Sequence, residues 1–219
     1  MKYIPSILLF FFLLSFSSCS TKTVEPELPD ANPPAPVIPE EPIPEKEKML
    51  WFDAEANFER FSKKENITYY LDLAKSTGFN KIVVDVRPVQ GDALFKSSYL
   101  TPLTDLAGTH IERDWNYLQF FIDEAHKREL KVTVSTTIFT AGLPSSKNGM
   151  AYRDDTWNGK TCLEYTKDQG LIDIKNDKTK VSAFLNPVLP EVQDFCLNFM
   201  KELVTNYDFD GFALDYCRY

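Results

Sequence analysis

FNKIVVDVRP, residues 79–88, is a β-branched run that stops at Pro88, and its side chains alternate strictly. Ile82, Val84 and Val86 point one way; Val83, Asp85 and Arg87 point the other. Three more stretches share this character. KMLWFDAE (48–55) is a short apolar run ending in acids, and LKVTVSTTIF (130–139) sets Val132 and Val134 against Thr133, Ser135 and Thr137. FDGFALDY (209–216) sets Phe212 and Leu214 against Gly211, Ala213 and Asp215.

Helical periodicity fills the intervals. Ile67, Tyr70, Leu71 and Ala74 recur at helical spacing, closed by Gly78 at a C′ position. Leu118, Phe121, Ile122 and Ala125 form a second apolar face, with Asp114 as the expected N-cap. Pro190 opens a third helix that turns Val192, Phe195, Cys196, Phe199 and Leu203 to one side.

The resulting β-α-β-α-β-α-β order implies parallel strands joined by right-handed crossovers. No G-x-G-x-x-G follows any strand, which sets aside a dinucleotide-binding fold. The expected fold is α/β, of (β/α)8 TIM-barrel type. A complete barrel takes ~250 residues, so residues 49–219, with about four strands and three helices, are expected to be its N-terminal half.

Composition narrows the function. The 219 residues carry 32 acids against 24 bases, formal net charge −8, and no dense Lys/Arg run, so nothing attracts a nucleic acid or an anionic membrane surface. A neutral partner such as a sugar fits better. The 17 Phe, 10 Tyr and 3 Trp supply both core and stacking surfaces. Four Cys and two His are too scattered for a zinc cluster, and neither metal nor cofactor is expected.

The first eighteen residues read as an export signal: Lys2, an apolar stretch from Ile7 to Phe16, then Ser17-Ser18 before Cys19. That stretch falls short of the ~20 apolar residues of a membrane span. Its end resembles a bacterial lipobox, with Phe16 in place of the usual Leu. Cys19 would then be the lipid-modified first residue, anchoring the protein in the cell envelope; a plain secreted protein is the alternative. Residues 19–48 hold eight of the fourteen prolines and seven acids, the composition of a semi-extended linker.

In a parallel barrel, chemistry sits at the C-terminal strand ends. The interior-facing positions grow more polar toward those ends, so one mouth is expected to gather Asp53, Glu55, Asp85, Arg87, Ser135, Thr137 and Asp215. Carboxylates around one arginine suit glycoside hydrolysis, where one acid stays ionised and another protonated. Arg87 is expected to hold the first ionised. Bland readings stand beside this one: Asp85 and Arg87 as a buried ion pair, Asp215 as a helix cap, Asp53 and Glu55 as solvated loop acids. The long connection from Phe139 to Leu189 emerges on the same side. Its Tyr152, Trp157 and Tyr165 suit either sugar stacking or packing within the loop. Three cysteines remain beyond Cys19; Cys196 reads as a small buried thiol, and Cys217, two residues after Asp215, as another, with a place lining the mouth as the alternative.

Four ordered blocks, GFNKIVVDVRPVQGDALFKS (78–97), FFIDEAHKRELKV (120–132), FLNPVLPEVQDF (184–195) and YDFDGFALDYCRY (207–219), resemble the glycosyl-hydrolase-like 10 family of bacterial (β/α)8 barrels. WFDAEANFERFS (51–62) looks most like its lipoprotein members from Bacteroidetes. The resemblance implies a glycoside hydrolase acting on a polysaccharide or cell-wall glycan. The matched positions are Arg87, Gly91, Asp92, Asn186, Pro187, Asp210, Gly211, Asp215, Arg218 and Tyr219. Asp215 stands where the family carries its presumed catalytic acid, with Arg87, Asp92 and Arg218 among the substrate contacts. Departures are Ser135-Thr136-Thr137 at the third strand's end and Glu129 where a Gly is usual. A left-handed cap at Glu129 costs ~1 kcal/mol. A partner acid is expected on a later strand, so this segment is expected to be inactive without the missing half of the barrel. Two alternatives are a non-catalytic, surface glycan-binding lipoprotein and, more weakly, a hydrolase of esters or amides.

Overall fold

Strands form where the short apolar runs lie, β-branched in the two central strands. In the computed structural model, which describes residues 46–218, β1 (Met49–Phe52), β2 (Lys81–Asp85), β3 (Lys131–Thr137) and β4 (Gly211–Asp215) make one parallel sheet in that order. The export signal, Cys19, the linker up to residue 45, and Tyr219 lie outside the described residues. The strand register sets Asp85 beside Ser135 and Thr137 beside Asp215.

The crossovers run through α1 (Lys64–Ser76), α2 (Tyr117–His126) and α3 (Pro190–Asn206). Their apolar stripes, including Ile67, Leu71, Phe121, Ile122, Val192 and Phe199, share a core with Ile82, Val84, Val132 and Val134. All of these are at most 2% exposed. Each such burial stabilises by about 1.5–3 kcal/mol before chain entropy is counted. Among the described residues no helix is long and apolar enough to cross a membrane.

Helix ends follow local chemistry, with one correction. Gly78 takes φ 86°, its N–H reaching the Lys75 carbonyl while the Phe79 N–H reaches that of Ala74. This is the paired capping pattern that favours glycine. Glu129 adopts the left-handed conformation, φ 55°, and the same two bonds form to His126 and Ala125. The N-cap of α2 is Asn116, not Asp114: its side chain accepts from the Gln119 N–H at 3.2 Å. Its Nδ2 also donates to the Tyr207 hydroxyl at 2.9 Å, tying the helix start to the end of α3, and Asn caps as well as Asp does.

Two long connections stand over the C-terminal strand ends. The one after β2 carries a small hairpin (Asp105–Leu106 with Thr109–His110). That after β3 carries a one-turn helix (Met150–Arg153) and a second hairpin (Leu163–Thr166 with Gly170–Asp173). They meet backbone to backbone at Gly149, φ 105°, where a Cβ would lie 2.4 Å from the Gln90 carbonyl oxygen.

Candidate functional site

Each sheet strand delivers a polar side chain at its C-terminal end. Asp85, Thr137 and Asp215 are the last residues of β2, β3 and β4, and Asp53 follows β1 directly. With Glu55 they line one cleft of about 100 Å³. Five of the expected site residues are thus brought together. Pro88, Val89 and Tyr216 complete the walls.

Local bonds position the acids. Asp53 Oδ1 accepts the Ala56 N–H at 2.6 Å, and Glu55 Oε1 accepts the Val89 N–H at 3.1 Å, tying the β1 loop to the β2 loop. Asp215 Oδ1 accepts the N–H of Tyr216 at 2.7 Å, and Tyr216 takes φ 45°, a left-handed conformation uncommon for a bulky residue. The Asp215 carbonyl accepts the Ile138 N–H at 3.1 Å, so the ladder holds right up to the acid.

Electrostatics single out Asp85. Asp85 is 8% exposed, and its Oδ1 is buried with no hydrogen-bond partner. Burial first, then the neighbouring Asp53 charge, raise its pKa to about 7, with Asp215 adding in the same direction. Ser135 beside it pulls the other way, but its Oγ is itself buried without a hydrogen-bond partner. A carboxyl that keeps its proton near neutral pH therefore shares the cleft with acids nearer water.

Arg87 is not in this cleft. It is fully buried, its Nη1 donating to the Thr137 carbonyl (2.6 Å), Thr137 Oγ1 (3.0 Å) and Thr140 Oγ1 (3.2 Å). Nη2 donates to the Thr140 carbonyl at 2.7 Å, and the guanidinium lies 5.0 Å over the Phe199 ring of α3. β2 ends at Asp85 and the chain bends at Arg87, whose side chain reaches the Phe199 ring of α3 instead of the cleft. Neither the expected Asp85–Arg87 ion pair nor an arginine among the mouth carboxylates is formed. Burial pulls the Arg87 pKa down to about 10, which still leaves it charged at neutral pH.

Asp92 is also buried, paired with Arg153 and bonded by Gln90 Nε2 at 2.9 Å. Arg218 is exposed, its guanidinium 4.7 Å over the Tyr216 ring, at the rim rather than in the cleft. Ser135 is buried beneath the mouth. Trp157 packs on Phe195 (4.7 Å) and the Tyr152 hydroxyl donates to the Lys175 carbonyl, so both are packing residues. Tyr165 is 77% exposed on its hairpin and free to stack. Cys196 is core, whereas Cys217 is exposed, contrary to its expected burial. Sequence reasoning missed Tyr216 and Val89; the signal for Tyr216 was its place directly after a strand-terminal acid.

A family model described as glycosyl hydrolase-like 10 matches residues 47–219. The chain is 33% identical over 184 residues to an S-layer-related protein of Niallia circulans, covering 80% of this chain and 11% of that one. It is 30% identical over 147 residues to glycosyl hydrolase DigH of Escherichia coli K12, covering 66% of this chain and 32% of DigH. The chain thus spans about a tenth and about a third of these relatives. Alpha-L-fucosidase isoenzyme 2 from Paenibacillus thiaminolyticus superposes with a TM-score of 0.50 at 21% identity, covering 70% of this chain and 20% of that structure. That likeness concerns the fold alone, a parallel sheet crossed by helices.

Proposed function

The chain belongs to the glycosyl hydrolase-like 10 family, and from that premise we propose that its strand-end mouth is part of a site hydrolysing the glycosidic bonds of a polysaccharide or cell-wall glycan. The observation that carries this is the convergence of Asp53, Glu55, Asp85 and Asp215 on one cleft at the C-terminal ends of the strands. Asp215 acts as nucleophile or as stabiliser of the oxocarbenium-like transition state. Asp85, which keeps its proton up to about pH 7, lines the same cleft from across β3. Arg87 works indirectly, holding Thr137 at the cleft wall, and Asp92 with Arg153 braces the loop over the mouth.

In the same reading residues 49–219 are the first half of a barrel whose later strands supply the partner acid, and the segment by itself does not turn over substrate. Cys19 anchors a cell-envelope lipoprotein of Bacteroidetes type. The test compares wild type with Asp215→Asn in the complete gene product, measuring reducing-end release and glycan pull-down together. Turnover should fall ~10³-fold or more while glycan binding persists. Full turnover in the variant would overturn the role of Asp215. Binding without turnover in wild type would favour a non-catalytic glycan-binding lipoprotein instead.

A further inference from the structure

The loop after β2 and the start of α2 enclose a second cleft, of about 380 Å³, that shares no lining residue with the carboxylate mouth. Its walls include Phe95, Leu103, Ile111, Trp115 and Tyr117, with Arg113 set among them. Trp115 stacks on the buried Tyr117 with 26° between their planes, and the Lys64 ammonium lies 5.3 Å over its ring, so the indole is fixed in place at the cleft. A mostly apolar cleft with few polar groups is the usual form of a small-ligand site.

Arg113 differs from Arg87, Arg128 and Arg153, whose guanidinium groups are all committed. Arg128 pairs with Asp72 and Glu124, Arg153 pairs with Asp92, and Arg87 commits its Nη donors to two threonines. Among the described residues no carboxylate lies within ion-pair distance of Arg113. Its Nη1 and Nη2 each make one long bond, 3.4 Å, to the carbonyls of Leu103 and Phe58, and its Nε is buried without a partner. The guanidinium rests 4.8 Å over Phe58 and 5.4 Å over Tyr117, contacts that orient it without neutralising it. Burial lowers its pKa, and no carboxylate opposes that shift. Glu112, the acid in the wall, lies 3.6 Å from His110. An always-charged, forked donor left half-buried beside an apolar cleft is complementary to a carboxylate.

We propose that this cleft binds a carboxylate-bearing sugar. The Arg113 fork grips the carboxylate, Trp115 lines the wall against which the sugar ring packs, and Lys96 lines the same cleft as a second cation. The proposal does not depend on hydrolysis at the mouth.

The test titrates the chain with D-glucuronate, D-glucose and benzoate, followed by saturation-transfer NMR and tryptophan fluorescence. Glucuronate should bind at least tenfold more tightly than either glucose, which lacks the carboxylate, or benzoate, which lacks the hydroxyls. Arg113→Lys keeps the charge but removes the fork, and should weaken glucuronate at least tenfold with the thermal midpoint held. Should that variant fail to fold, Trp115→Leu serves and should show the same loss. Equal binding of glucuronate and glucose, benzoate binding as tightly as glucuronate, or no binding of glucuronate at all would overturn the proposal. So would glucuronate binding that survives Arg113→Lys but is lost in Asp215→Asn, which would place the ligand in the mouth.

Discussion

Thr137 and Asp215 face each other in register at the ends of β3 and β4, and Thr137 is also the residue on which the buried Arg87 guanidinium closes. The Thr137 hydroxyl in turn donates to the Arg87 carbonyl at 2.8 Å. The wall opposite Asp215 is therefore held from behind by a charge that never reaches the cleft. This explains how an arginine can match a family landmark without touching the mouth.

Arg87→Lys tests that bracing. A lysine cannot satisfy Thr137 and Thr140 together, and it leaves buried carbonyl acceptors unpaired. The expected loss is about 2–4 kcal/mol of unfolding free energy, read from urea melts at constant slope. A change below ~0.5 kcal/mol would show that the guanidinium bonds contribute little.

Asp85 makes stability depend on pH in a defined sense. Its folded pKa, about 7, lies above the unfolded value near 3.8. Below the unfolded value both states are protonated. As pH climbs from about 4 to 7 the unfolded chain releases the proton first, so the native state loses stability across that window. Asp85→Asn removes this component. The difference in thermal midpoint, variant minus wild type, should grow by several degrees between pH 4 and 7.5, at ~2–4 °C per kcal/mol. A difference that stays flat across that range would mean Asp85 is ionised throughout.

Gly149→Ala tests the seam between the two loops above the mouth. The added Cβ meets the Gln90 carbonyl oxygen at 2.4 Å and the Gly142 Cα at 2.6 Å, from a backbone at φ 105°. Both obstacles are main chain and cannot swing aside. A cost of about 2–3 kcal/mol is expected, with faster proteolysis within residues 138–189. An unchanged melting curve and digestion pattern would mean the loops do not lock there.

The four strands and three helices were legible because each pattern had a single outcome: β-branched alternation, a 3.6-residue stripe, Gly78 past a helix end, Pro190 at a helix start. The mouth was legible as far as alternation runs, which is why Asp53, Asp85, Thr137 and Asp215 were found together. Arg87 lay two residues beyond Asp85, past the end of the strand, where alternation no longer says which way a side chain points. Asn116 rather than Asp114 is the cap because Asn and Asp cap equally well and Gln119 stands three residues after Asn116, a local pattern that the Asp114 assignment passed over. The Arg113 cleft was invisible in the sequence: Phe58, Leu103 and Tyr117 meet around that guanidinium only once the loop after β2 has folded over α2.

Chemical rescue tests the role of Asp215 most directly. In the complete gene product, Asp215→Gly should abolish glycan turnover, and added formate, a small carboxylate that fits the vacated space, should restore it in proportion to its concentration. A glycine variant that turns over at the wild-type rate, or one that stays inactive at all formate concentrations while remaining folded and glycan-bound, would contradict the assignment of Asp215 as nucleophile or transition-state stabiliser.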